Sequence, residues 1–201
     1  LGSLLARFGK AKVSLPGGCA IGTRPVDIHL FGLKKLGAKI KIKNGYIFAE
    51  AKKGLTGAQI KFPSISVGAT ENVIIAASLA NGTTYLKNCA CEPEIKNLTD
   101  FLNKMGANIS WLGKREIKII GCKKFKQASH QIMFDRIEAG TFIIAGALIG
   151  KKLKISGIQT RFLNTEIKIL RKMGVKMKIS KDYIIILQSN KIKPINIKTE
   201  P

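Results

Sequence analysis

Leu36-Gly37-Ala38, Met105-Gly106-Ala107 and Met173-Gly174-Val175 are one phrase repeated three times, at a spacing of about 68 residues. Each copy closes an amphipathic segment, at residues 26–36, 94–105 and 165–173. A glycine there can take positive φ, which predicts a helix C-terminus. Each copy then leads into an alternating apolar run, a turn and a second alternating run. Asn44-Gly45 is a strong hairpin signal. Leu112-Gly113-Lys114 and Lys181-Asp182 hold the equivalent places, so closing strands are expected over 46–49, 117–120 and 183–187.

The other half of the unit repeats as well. Ile74-Ile75-Ala76-Ala77-Ser78-Leu79 matches Ile143-Ile144-Ala145-Gly146-Ala147-Leu148 at the same spacing. These read as apolar helices with small residues, suited to close packing, ended by Gly82 and Gly150. Short strands are expected at 84–87 and 153–155. The unit therefore reads strand, helix, strand, helix, strand, strand, which argues for an α/β fold with mixed sheets. An extended run meets a new helix near Gln131 to Asp135, and the domain joint is expected there, dividing the chain into 1–131 and 132–201.

The 201 residues are 45% hydrophobic, enough for a sizeable core, and the formal net charge is +23. A basic chain attracts phosphate, whether on small molecules, lipids or nucleic acid. The excess is mostly Lys, often alternating with Ile as in Ala38-Lys39-Ile40-Lys41-Ile42-Lys43, which predicts a half-buried strand with a solvated Lys face. The aromatics are expected mainly in strand and helix cores, which argues against a nucleic-acid platform. No apolar run is long enough to span a membrane and no signal peptide is visible, so free thiols and a cytoplasmic location are expected. Cys89-Ala90-Cys91 lacks zinc spacing; neither metal nor cofactor is expected. The chain begins at Leu1 and stops at Pro201 within an extended stretch, which reads as a piece of a longer protein.

The informative place is where the repeat breaks. The stretch from Gly9 to Pro25 is about five residues longer than its sister from Gly82 to Pro93. The extra residues make a glycine-rich loop, Leu15-Pro16-Gly17-Gly18-Cys19-Ala20-Ile21-Gly22-Thr23-Arg24-Pro25. The sister unit does without them, so folding does not require them. Flanking glycines expose backbone N–H groups to an anion. Arg24 favours a thiolate at Cys19 and can grip phosphate in a forked geometry. A cysteine of tuned pKa can act as nucleophile or proton donor.

Two helix starts follow. Arg24-Pro25-Val26-Asp27-Ile28-His29 opens one, where Asp27 can complement the helix dipole and His29 can be a partly buried polar residue or a sugar or base contact. Phe62-Pro63-Ser64-Ile65-Ser66-Val67-Gly68-Ala69-Thr70-Glu71 leads into the other, expected over 71–79, where Ser66 and Gly68 make a helix cap or a phosphate-friendly start. Asp135-Arg136-Ile137-Glu138 holds the equivalent place in the next unit, where an internal ion pair and a hinge are expected.

The stretch Pro16 to Asp27 resembles the active-site loop of the UDP-N-acetylglucosamine 1-carboxyvinyltransferases, members of the enolpyruvyltransferase family. Ser66-Val67-Gly68-Ala69-Thr70, Glu92-Pro93-Glu94-Ile95 and Asp135-Arg136-Ile137-Glu138-Ala139-Gly140-Thr141-Phe142 resemble further signatures, and the similarity runs over the whole chain. The resemblance implies an inside-out α/β barrel of two domains, each made of three such units. It implies transfer of the enolpyruvyl group of phosphoenolpyruvate to the 3′-hydroxyl of UDP-N-acetylglucosamine, with release of phosphate, at the first committed step of peptidoglycan synthesis. Cys19 then corresponds to the general acid, which is also the thiol alkylated by fosfomycin. Arg24 matches a phosphate contact, Arg24 to Ile28 and Ser64 to Val67 (with Gly68 next to them) match nucleotide-sugar binding stretches, and His29 matches a further substrate contact. The implied partners are these two small molecules, with no nucleic acid and no membrane insertion.

Ser64 departs from members that carry Lys there. The family's Lys-Asn pair and an Arg would precede Leu1, and its general base, an Asp, would follow Pro201. The 201 residues alone are therefore expected to be inactive. The sister shikimate-pathway transferase, which shares the fold but not the Cys loop, and a basic nucleic-acid-binding module are the alternative readings.

Overall fold

The three glycines that close the repeated phrase all lie in the left-handed region, with φ of 92° at Gly37, 94° at Gly106 and 96° at Gly174, in a computed structural model that describes residues 1–17, 25–150, 152–189 and 191–198. Two compact units are present, Leu1–Gln131 and Ile132–Pro201. In the first, the elements are α1 (Gly2–Phe8), β1 (Lys10–Ser14), α2 (Asp27–Lys35), β2 (Lys39–Lys43), β3 (Tyr46–Glu50), β4 (Gln59–Lys61), α3 (Val67–Ala77), β5 (Thr83–Lys87), α4 (Pro93–Lys104), β6 (Asn108–Gly113) and β7 (Glu116–Ile120). In the second they are α5 (Arg136–Ile149), β8 (Leu153–Ser156), a 3-10 turn (Thr160–Leu163), α6 (Asn164–Lys172), β9 (Met177–Ile179) and β10 (Tyr183–Ile186).

The first unit puts helices inside and sheets outside. Helix α3 touches α1, α2 and α4, and Ala69, Val73, Ile74, Ala76 and Ala77 on it are fully buried. That explains its composition: an alanine-rich helix lets three neighbours approach closely. Gly32 of α2 sits where a Cβ would strike the Val73 side chain. The N–H of Gly2 donates to Asn72 Oδ1 at 2.8 Å, fastening α1 to α3. Phe62, Leu33, Leu36, Ile60, Leu86 and Ile117 complete this core, each contributing about 1.5–3 kcal/mol by leaving water.

Two sheets enclose those helices. One is antiparallel, in the order β1-β3-β2, and turns at Asn44-Gly45, both with positive φ. The other runs β4-β5-β7-β6, with β4 and β5 parallel. In the second unit, β8-β10-β9 is antiparallel, and Ile143, Leu163, Ile184 and Ile186 are at the centre of a separate core.

Three local expectations are corrected. Helix α3 ends at Ala77, two residues before the expected Leu79, because the chain tightens there: the N–H groups of Leu79 and Ala80 donate to the carbonyls of Ala76 and Ala77, three residues back. Asp135 is a cap: its carboxylate accepts from the N–H groups of Ile137 and Glu138, while Arg136 pairs with Glu166 at 3.9 Å. Several aromatics are outside the core, with Phe8 62%, Phe142 54%, Tyr46 42% and Phe48 40% exposed. Among the described residues no strand precedes α5 in the second unit.

Candidate functional site

Helices α2 and α3 begin side by side. Helix α2 starts after Val26, which makes no side-chain cap, and Asp27 lies in its first turn, where a carboxylate complements the helix dipole. His29 is half-buried one turn in. Its ring lies against Gly68 of α3: a Cβ there would be 3.2 Å from Cε1 and 3.5 Å from Nε2. A methyl group there would make the imidazole give way by a few tenths of an ångström.

The start of α3 is held by a chain of hydroxyls. Ser66 caps it, its Oγ accepting from the N–H of Ala69 at 3.3 Å. The Thr70 hydroxyl, fully buried, donates to the Ser66 carbonyl at 2.7 Å and accepts from the N–H of Ala90 at 3.1 Å. The turn at Ser66 is thereby tied to the segment before α4.

A cleft of about 550 Å³ opens between these helix starts. Pro25, Val26, His29 and Gly68 line it, and so does Pro16, so the chain leaves for the glycine-rich loop and returns from it at the same cleft. Of the other expected site residues, Ile28 and Ile65 pack against the core. Ser64 and Val67 are exposed on the approach to α3. Cys19 and Arg24 fall outside the described residues.

Two lining residues were missed from the sequence, Glu71 and Asn72. Both sit in the first turns of a helix that reads as apolar, and their only signal was polarity where small apolar residues dominate. Burial pushes the Glu71 carboxyl above its ordinary value, and the charge of Glu94 adds to this. Burial lowers His29 below its ordinary value, and Asp27 partly offsets it. The folded chain therefore holds a proton on Glu71 to higher pH than the unfolded chain does. That contribution is complete below pH 4.5 and is lost as pH rises through the folded value. Glu71→Gln is expected to raise the melting temperature at pH 7 relative to wild type, with the gain fading toward pH 4.5, in paired thermal melts at the two pH values. His29 acts oppositely, costing stability as pH falls below 6.5.

Cys89 differs from a reactive thiol. It is buried, which pushes its pKa up to about 12, with Glu116 adding to the shift. Its carbonyl accepts from Arg115 Nη1 at 3.0 Å. Among the described residues no three His, Cys, Asp or Glu side chains gather as a metal site, and no helix is long and apolar enough to cross a membrane.

The family model for EPSP synthase (3-phosphoshikimate 1-carboxyvinyltransferase) matches residues 1–201. A curated protein of Pelagibacter ubique (strain HTCC1062), named UDP-N-acetylglucosamine 1-carboxyvinyltransferase, is 61% identical over 201 residues, 100% of this chain and 48% of that protein. One of the same name from Chelativorans sp. (strain BNC1) is 48% identical over 202 residues, 100% of this chain and 47% of its own. The chain thus spans about half the length of the curated relatives it matches. Among solved structures, the enolpyruvyl transferase NikO from Streptomyces tendae aligns with a TM-score of 0.77 at 21% identity, over 92% of this chain and 45% of that one. EPSP synthase from Acinetobacter baumannii aligns at 0.69 and 19% identity, over 98% and 47%. At such identities these two speak for the fold, the inside-out α/β architecture in which sheets enclose helices.

Proposed function

Since the chain belongs to the EPSP synthase (3-phosphoshikimate 1-carboxyvinyltransferase) family, we propose that it serves an enolpyruvyl transfer whose acceptor is the 3′-hydroxyl of UDP-N-acetylglucosamine and whose donor is phosphoenolpyruvate. The observation that carries this reading is the cleft. Both ends of the Cys19 loop, Pro16 and Pro25, reach it together with His29 and Gly68. The names of the relatives at 61% and 48% identity support the acceptor. The shikimate enzyme lacks the Cys loop, which weighs against that alternative.

In this reading Cys19 donates a proton to the methylene carbon of phosphoenolpyruvate as the 3′-hydroxyl gives its proton to a general base, the aspartate that the family resemblance implies, and its oxygen bonds to the adjacent carbon. The tetrahedral intermediate then gives a proton from its new methyl group to a base, expels phosphate and so restores the double bond. Arg24 holds the phosphate charge that leaves. Residues 25–29 and 64–68 bind the nucleotide sugar, the start of α3 offering its positive end to the diphosphate. A neutral His29 suits contact with sugar or uracil oxygens, since burial lowers its pKa. Fosfomycin would alkylate Cys19. Units 1–131 and 132–201 are read as portions of two barrel domains, and the reaction belongs to cytoplasmic synthesis of peptidoglycan precursors.

The test is phosphate release from phosphoenolpyruvate by the full-length protein, with and without UDP-N-acetylglucosamine. Release that requires the nucleotide sugar supports the reading. Release indifferent to it, or dependent on shikimate 3-phosphate, overturns it. Gly68→Ala is expected to raise KM for the nucleotide sugar more than it lowers kcat, because the new methyl displaces the His29 ring.

A further inference from the structure

Strand register sorts the β1-β3-β2 sheet into two faces. Ala11, Val13, Ile40, Ile42, Ile47 and Ala49 share the face toward the helices; Ala49 and Ile47 are buried, while Ile42 at the open end is 54% exposed. The opposite face holds three rows: Lys10, Glu50, Lys39; then Lys12, Phe48, Lys41; then Ser14, Tyr46, Lys43. All nine are exposed. Five are lysines, and the single acid, Glu50, already has Lys52 at 3.8 Å. Lysines thus occupy both outer strands and flank a central aromatic column. Lys12 Nζ lies 4.5 Å from the Tyr46 ring centre and 5.4 Å from that of Phe48. A cavity of about 670 Å³ adjoins this sheet, lined from this face by Lys12, Lys41, Phe48 and Glu50 and also by Leu4 of α1.

Strand alternation asks for polar residues here, not for lysine at every second place along the outer strands; such neighbours along one strand are about 7 Å apart and repel, although none faces another lysine directly across strands. A plane of negative charge on the outside would turn that repulsion into attraction. We propose that this face docks on an anionic phospholipid bilayer. The lysines reach lipid phosphates with their ammonium groups while their stems cover the sheet, and Tyr46 and Phe48 sit at headgroup level. The arrangement fits a flat surface better than nucleic acid. The charges form two columns rather than one track, arginine is absent from the face, and the rings are tilted 54° to each other under Lys12. They leave no open platform on which bases could stack. The proposal stands apart from the transferase reading and survives or fails without it.

The test is flotation of the protein with phosphatidylcholine vesicles, with and without phosphatidylglycerol. Binding is expected only to the anionic vesicles, and raised salt should release it. Lys12→Glu with Lys41→Glu should weaken it roughly thirtyfold or more. The milder Lys12→Gln with Lys41→Gln should weaken it in the same direction, which guards against a folding defect. Lys123→Glu with Lys124→Glu, an equal charge change at exposed positions off this face, should cost much less. Equal loss in that pair, binding to neutral vesicles, no binding at all, or tighter capture by mixed-sequence RNA would each overturn the proposal.

Discussion

Cys19→Ala is expected to lower phosphate release from phosphoenolpyruvate by about 10²–10⁴-fold, the usual worth of a positioned general acid. Carbon protonation is the step that a solvent proton serves poorly, so removing the thiol removes rate and not recognition. The cleft residues Pro25, Val26, His29 and Gly68 remain. Titration calorimetry should therefore find the nucleotide sugar binding within a few-fold of wild type. Cys89, buried and with a pKa of about 12, cannot take over the role. Near-normal turnover in the variant would assign the acid elsewhere and undo the role proposed for the loop.

Gly121→Ala should produce the largest loss of stability among simple substitutions. Its N–H donates to the Gly82 carbonyl at 3.0 Å, and the next N–H, of Cys122, donates to Ser78 at 2.9 Å. These bonds draw the chain onto the turn after α3, and a Cβ on Gly121 would overlap the backbone carbonyl of Ala80. Backbone cannot rotate aside as a flexible side chain can. The expected cost is about 3 kcal/mol, the upper part of the usual overpacking range, or roughly 10 °C in melting temperature for a unit of this size. Gly140→Ala provides the contrast. That glycine is inside α5 with nothing near its missing Cβ, so alanine should stabilise by about 0.5–1 kcal/mol. A thermal melt of both variants checks the pair; similar shifts in the two would contradict the steric argument.

Gly37, Gly106 and Gly174 made the helix ends legible, because few other residues tolerate the φ required there. The Asn44-Gly45 turn was legible for the same reason. The end of α3 was not, since the chain tightens there into bonds three residues back at Leu79 and Ala80, and neither residue type signals such a turn. In the candidate site, the approaches to the two helices, at Pro25 and Ser66, carried their own signals in proline, serine and glycine. Their adjacency did not, nor did Glu71 and Asn72, because the approach of α2 to α3 is set by packing at Gly32 and Val73, far apart in sequence. The outward aromatics Tyr46 and Phe48 were misplaced because an alternating strand shows which residues share a face but leaves open which face is covered.

The buried hydroxyl of Thr70 has a consequence for binding thermodynamics. By holding both Ser66 and Ala90, it fixes the α3 entrance before any ligand arrives. A ligand arriving at Ser66–Gly68 then has little backbone disorder to freeze, and its affinity is not spent on ordering the protein. Valine has nearly the same shape but neither bond, so the loss at this position would be entropic: the contacts with ligand are unchanged, and the entrance must be ordered each time it is filled.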